Sequence, residues 1–450
     1  MTRAARQLAA LIAVAAGGCS SAHIDIALRV PSGDHPLAGA DAVAATLRDA
    51  AGQPLAFARA RPSVDALVLP NVGAGSGDTV EVDATFGGDV LARGKSCAFT
   101  VDAGKPPTVP VWFSRIGRFA ATSGPDVARI DAATFAWGTG VLVAGGNSNG
   151  AALATSEFYD PLAGKFAPGP TLATPRAGAR AIDLGSGSVL LVGGGGTGTP
   201  AVETLTATHS TPEPAGVAPD LVEHAVAASG GAAVLIAGGR IGGTSTDGAW
   251  IVTEAGASVE PLPAMAHARA QLTLTAAGDG PFAPLYVIGG VDATGPVADI
   301  EVFDPATEAF SAPGMQLATP RSQHTVTRLP SGLLLVIGGI DAAGVPIAQA
   351  ELVDPAARTV RSVASLNVAR TEHAATLLPS GRVLVTGGVD ANGATLASAE
   401  IFDPALGAEG DFVPTTPLDT ERAGHAVAPL CDGTYLVVGG ASGAEIYNPL

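Results

Sequence analysis

Positive charge is scarce in this 450-residue chain. Its 24 Lys and Arg stand against 41 Asp and Glu, a formal net charge of −17, and no basic run offsets the excess. Nucleic acid is held largely through Lys and Arg on its phosphates, so it is excluded as a partner. The apolar run near the start, Leu8 to Ala16, is too short to cross a bilayer as a permanent anchor. Local catalytic signatures are scarce too, with no His-Glu-x-x-His and no Cys-x-x-Cys. Charged residues make up only 14 % against 47 % hydrophobic, which excludes a disordered chain. Gly (59) and Pro (34) are plentiful instead, as a fold with many tight turns requires.

Cysteine is nearly absent, with three in all. The first, Cys19, follows a basic stretch with Arg3 and Arg6, the apolar run, and the small pair Gly17-Gly18. This arrangement resembles the lipobox of bacterial lipoproteins, which implies a signal peptide over 1–18 and lipidation of Cys19. The expected location is the cell envelope, on a membrane through that lipid. Cys97 and Cys431 remain. In an exported protein they could pair, and a bridge would staple two expected domains. Two separate thiols are the simpler expectation, because nothing in the sequence brings their Cα atoms within about 7 Å.

Residues 19–115 read as short antiparallel strands. Ile24, Ile26 and Leu28 alternate with polar or small residues, as do Val80, Val82 and Ala84, and again Val109, Val111 and Phe113. Turn signals separate them at Pro31-Ser32-Gly33 and Gly87-Gly88-Asp89. A small β-sandwich-like accessory domain is expected there.

From residue 116 a repeat takes over and runs to 450. A short apolar run ending in Gly-Gly occurs seven times, at Gly145, Gly193, Gly238, Gly289, Gly338, Gly387 and Gly439, in steps of 45 to 52 residues. Such a period marks a propeller, solenoid or array. The unit beginning at Arg321 gives the fullest pattern: RSQHTVTRL, a Pro-Ser-Gly turn, LLLVIGG, a loop, AQAELVDP and TVRSVASL. Four strands fit, a to d, with b buried on both faces. The doublet and a Glu-x-x-Asp-Pro in strand c together resemble the kelch repeat, which implies four-stranded propeller blades. Strand d carries Phe166, Phe310 and Phe412 where that family has Trp. The last unit stops after strand c, while Gly117-Arg118-Phe119 resembles an isolated strand d. An all-β, seven-bladed kelch-like propeller follows, with the early strand completing blade 7.

Strand order puts the b–c loops and d–a connections on one face, the expected binding face. Candidates near it are the Arg-x-x-His pairs Arg321/His324, Arg370/His373 and Arg422/His425. They could hold an anion through Arg forks, or each Arg could pair with a strand-c Glu as scaffold, since those Glu recur at the same rate. Asp292, Asp341 and Asp390 begin Asp-x-x-Gly loops. One carboxylate per loop falls short of the six to eight oxygens Ca²⁺ takes, so turn chemistry and no metal are expected. Some propellers that resemble kelch are copper oxidases needing Tyr, His and a Tyr-Cys crosslink. Here Tyr159, Tyr286, Tyr435 and Tyr447 belong to strands b and c, and none sits near a Cys in a way that suggests the crosslink. Others are sugar mutarotases, which need only a few acid–base groups. The leading expectation is a cell-envelope lipoprotein whose propeller binds a protein or glycan without catalysis and without cofactor. The alternative is a carbohydrate-active enzyme, mutarotase- or oxidase-like, working in the channel.

Overall fold

A computed structural model of the chain describes residues 22–449, except 63–66, 103–106, 185–186, 196–201, 207–209, 213–220, 230–232 and 254–257. Cys19 lies outside the described residues. The described secondary structure is all β. Residues 22–115 hold eight strands: β1 Ala22–Arg29, β2 Ala42–Arg48, β3 Pro54–Ala60, β4 Leu67–Val72, β5 Gly75–Phe86, β6 Asp89–Lys95, β7 Phe99–Val101 and β8 Thr108–Arg115. They run as one sheet in the order β3-β2-β5-β6-β8-β1-β4, with β7 on β5. The sheet curls until its ends, β3 and β4, lie against each other. Period-two alternation explains the curl. Leu47, Val80, Val82, Val111 and Phe113 all turn inward and are fully buried.

The rest is a seven-bladed β-propeller. In blade 1 the strands are Ala133–Trp137 (a), Gly140–Ala144 (b), Ser156–Asp160 (c) and Lys165–Pro168 (d). Blades 2 to 6 repeat this order. Blade 7 takes a, b and c from Ala426–Pro429, Tyr435–Val438 and Ala444–Asn448, and its outer strand from β9, Arg118–Thr122. The first and last strands of the propeller are therefore zipped into one sheet, and no blade edge is left open by the closure. The seven inner strands contact one another in a ring, blade 1 against blade 7 included. Strand b is buried along its whole length in each blade, for example Leu334–Ile337 in blade 5. Where strand d carries Phe, its ring packs on a strand-c aromatic: Tyr159 with Phe166, Phe303 with Phe310, Phe402 with Phe412, and Tyr447 with Phe119. A cross-strand aromatic pair thus fills the outer edge of those blades.

The Gly-Gly doublets are the joints between blades. In blade 5, Gly338 has φ 60° and Gly339 φ 94°. A Cβ on Gly338 would meet the Arg370 carbonyl at 2.6 Å and the His373 ring at 2.9 Å, both in blade 6. The second glycine's N–H donates to that Arg370 carbonyl at 3.0 Å. The same bond recurs around the ring and closes it, with Gly440 of blade 7 donating to Arg129 of blade 1 at 3.1 Å. Only glycine combines the left-handed backbone with this approach.

One expectation is corrected here. Cys97 and Cys431 are joined by a disulfide, with Cα atoms 4.9 Å apart, and do not stay separate. The bridge fastens the first sheet to the a–b turn of blade 7. Asn448 reinforces it by donating to the Arg93 and Ser114 carbonyls. The two cysteines are 334 residues apart in sequence, so only the closure of blade 7 next to β8 and β9 brings them together.

Candidate functional site

A propeller built from near-identical blades carries chemistry only where the blades differ. The shared residues come first. Arg321 is fully buried. It donates to Glu351 Oε1 at 2.6 Å, to the Gln349 carbonyl at 2.6 Å, to the Gly338 carbonyl at 3.2 Å and to the Thr319 carbonyl at 3.1 Å. Arg370 does the same with Glu400 at 2.8 Å, and Arg422 with Glu445 at 3.2 Å. Arg129, Arg176 and Arg269 complete the series with Glu157, Glu203 and Glu301. Each Glu also accepts backbone N–H groups of the preceding d–a connection, as Glu351 does from Ala318 and Thr319. Every guanidinium is thus locked inside its own blade, behind the loop face. Blade 3 lacks both partners at once: Leu221 stands at the Arg position and Trp250 at the Glu position, and the two share one apolar cluster.

The histidines lie between blades. His324 Nε2 meets Thr273 Oγ1 at 3.1 Å, His373 Nε2 meets Thr325 Oγ1 at 2.9 Å, and His425 Nε2 meets Thr386 Oγ1 at 2.8 Å. Each partner belongs to the preceding blade. Burial first, and the adjacent Arg second, hold these imidazoles at about 3, so they are neutral. Asp292, Asp341 and Asp390 sit on the loop face. Each closes its own turn, accepting N–H bonds from residues two to four further on. Hydrogen bonds lower Asp292 and Asp390, from Thr294 first in the one and Ala394 first in the other. Among the described residues no group of three His, Cys, Asp or Glu is placed to hold a metal ion.

The blades diverge at the channel mouth. Two residues after each Arg position stand Asp131, Gly178, Glu223, Gln271, Gln323, Glu372 and Gly424. All seven have a left-handed backbone, with φ from 52° to 73°. Two blades meet this demand with Gly; five hold a side chain there, at a cost of order 1 kcal/mol or more each. Backbone bonds join neighbours of this ring, as Gly178 N–H to the Asp131 carbonyl at 2.9 Å and Gly424 N–H to the Glu372 carbonyl at 3.0 Å. Glu223 is ion-paired with Arg240 at 2.7 Å. Gln323 donates to Gln271 and accepts from Thr371. Asp131 and Glu372 have no hydrogen-bonded side-chain partner among the described residues.

These two carboxylates flank Gly424, in blades 1 and 6 around the blade 7 gap. A Cβ on Gly424 would stand 3.5 Å from Asp131 Oδ1. Desolvation, then the charge of Asp131, raises the Glu372 carboxyl above its usual value. Two like charges near one gap disfavour each other's ionisation. Beside them the b–c loop of blade 7 shrinks to 441–443. A cavity of about 490 Å³ opens there, lined by Arg129, Ile130, Asn147, Asn149, Gly440 and Ser442; it reaches the residue before Asp131, and neither carboxylate lines it. Sequence reading missed this site. The signal was a column of the repeat in which the residue changes from blade to blade.

Gly146-Asn147-Ser148-Asn149-Gly150 has the letters of a Gly-x-Ser-x-Gly nucleophile elbow, and sequence reading passed over it. The elbow needs a strand-to-helix turn. Here Asn147–Ser148 pairs with Ala151–Ala152 in a tight hairpin that turns at Asn149-Gly150, so Ser148 is a strand residue.

No family model and no curated protein matches the chain. Among solved structures it is similar to a fungal alcohol oxidase of the AA5 family in complex with copper. The identity is 16 % and the TM-score 0.58, over 74 % of this chain and 77 % of that one. At such identity the likeness shows the propeller fold. The expectation of a non-catalytic protein- or glycan-binding module is corrected on this finding, since the solved protein that shares the fold is an enzyme. The described residues do not fit a copper centre. Three of the four buried His give Nε2 to a Thr, and the fourth, His224, is enclosed between blades with 1 % of its surface exposed. The Tyr159, Tyr286 and Tyr435 hydroxyls are bonded to Thr122, Pro355 and Leu377. Cys97 and Cys431 are consumed by their disulfide.

Proposed function

We propose that this chain is a kelch-type propeller enzyme that interconverts the anomers of a reducing sugar at the channel mouth. One observation carries the reading: Asp131 and Glu372, held in left-handed backbone across Gly424, are free carboxylates where other blades place Gly or bonded side chains. Glu372, whose pKa is raised, donates a proton to the sugar ring oxygen. Asp131, as carboxylate, takes the proton of the anomeric hydroxyl. The bond between anomeric carbon and ring oxygen breaks, the open-chain aldehyde turns, and the reverse steps close the other anomer. No redox partner is needed.

The Cys97–Cys431 bridge supports export to an oxidising compartment. With the leader before Cys19, it favours a cell-envelope lipoprotein held to a membrane by lipid. An unmodified Cys19 in the intact mass of the membrane-extracted protein would remove the anchor.

The enzyme reading is tested by exchange spectroscopy of anomer interconversion across a panel of aldoses. Asp131→Asn and Glu372→Gln should each slow catalysed exchange by about 100-fold, the usual scale for a general acid or base. Glu372→Gly, the residue of blades 2 and 7, should do so without lowering Tm. In the range where the fold holds, activity should fall as pH rises through the raised Glu372 value, because the acid form is lost. Exchange no faster than buffer for every sugar, or unchanged in the double variant, would sink this reading.

A further inference from the structure

The inner strands place one residue per blade opposite the last residue of strand b. The series is Ala133, Arg180, Ala225, Thr273, Thr325, Ala374 and Ala426. Six are Ala or Thr. Blade 2 alone has a long cation, at the start of its inner strand Arg180–Asp183. The six arginines of the Arg–Glu series are buried and paired. Arg180 is exposed, and its side chain has no hydrogen bond or ion pair among the described residues. Its exposure is of an unusual kind. Desolvation disfavours its charge, as for a group surrounded by protein and wetted only by the channel. Asp131 favours the charge through space without touching it.

A second observation comes from the next blade. Where Thr273 and Thr325 give a hydroxyl to the following histidine, Arg180 gives His224 none. His224 is 1 % exposed, and its Nε2 has no hydrogen-bond partner. The Arg180 guanidinium is thus left without an acceptor among the described residues, beside a histidine ring that the joint encloses. A guanidinium fork carries five donors and no acceptor. Its natural complement is an oxyanion, bound by two parallel N–H bonds.

We infer that the channel binds a ligand bearing a carboxylate or phosphate oxyanion, held by Arg180. The inference rests on the channel mouth being the working site, and it narrows the substrate there to an acidic sugar. Arg180 is the specificity residue for the acidic group, while Asp131 and Glu372 face the anomeric end.

Titration calorimetry at low salt, with glucuronate, glucose 6-phosphate and glucose as probes, tests it on the full chain. At least one acidic sugar should bind ten-fold or more tighter than glucose, and the tighter of the two identifies the oxyanion. Arg180→Ala, the residue of four other blades, should abolish that difference with the fold intact. Arg180→Thr should raise Tm, because it removes a desolvated cation and restores a hydroxyl to His224. Equal binding of all three probes, binding unchanged in Arg180→Ala, or a lower Tm for Arg180→Thr would overturn the assignment. Because binding is read apart from turnover, acidic-sugar binding without anomer exchange would sink only the enzyme reading. Exchange of the acidic sugars untouched by Arg180→Ala would sink only this one.

Discussion

Acidification from pH 7 to pH 5 should remove most of the stability of this propeller. His224, His324, His373 and His425 are buried between blades and held at about 3 by desolvation, with a neighbouring Arg as the second cause. In the unfolded chain they titrate near the ordinary 6.5. Below 6.5 the unfolded state therefore binds protons that the folded state refuses, so stability falls as pH falls. The loss begins at the unfolded value and continues down to the folded one. Each histidine contributes a slope of about 1.4 kcal/mol per pH unit once the unfolded form is protonated. By pH 5 that is roughly 2 kcal/mol each and about 8 kcal/mol for four, against typical total stabilities of about 5–15 kcal/mol. Urea midpoints between pH 8 and pH 5 check it. His324→Leu copies blade 4, where Leu272 stands at the histidine position. It should reduce the slope by about a quarter. A midpoint that stays flat to pH 5 would show that the rings charge without unfolding.

Arg370→Ala should cost about 3–5 kcal/mol, because it strands the buried Glu400 carboxylate. It also frees the Gly387 and Ser398 carbonyls, which Arg370 satisfies at 2.8 and 3.0 Å. A fall in Tm on the order of 10 °C follows for a domain of this size. Blade 3 shows that the pair is replaceable as a unit, since Leu221 and Trp250 pack where Arg and Glu stand elsewhere. The double variant Arg370→Leu/Glu400→Trp should therefore be more stable than either single change. A coupling of about 2 kcal/mol or more is expected from the cycle. A double variant no better than the worse single one would mean that each residue acts alone. The ion pairs then fix blade geometry rather than simply adding stability, since apolar replacement of a buried pair is often neutral.

The seven blades, and the completion of blade 7 by the strand at Arg118–Thr122, were legible in the sequence because their causes are local. A buried strand needs a continuous apolar run, and the tight joint after it needs two glycines. Both recur within each repeat and can be read without knowing what lies beside them. The Arg and Glu series was also visible, as two residue types recurring together, and burial turned that recurrence into pairing. Tertiary structure alone decided the rest. The partners of His324, His373 and His425 lie in the preceding blade, so whether these rings face solvent depends on packing across a joint. Cys97 reaches Cys431 only because the first sheet docks where the ring closes. Asp131 and Glu372 are 241 positions apart in sequence, and they share one gap because blade 7 sits between them and carries Gly424. A repeat makes its blades alike along the chain. Ring closure then brings distant positions of one column together, and where that column is unequal the neighbours, not the spacing, set the chemistry.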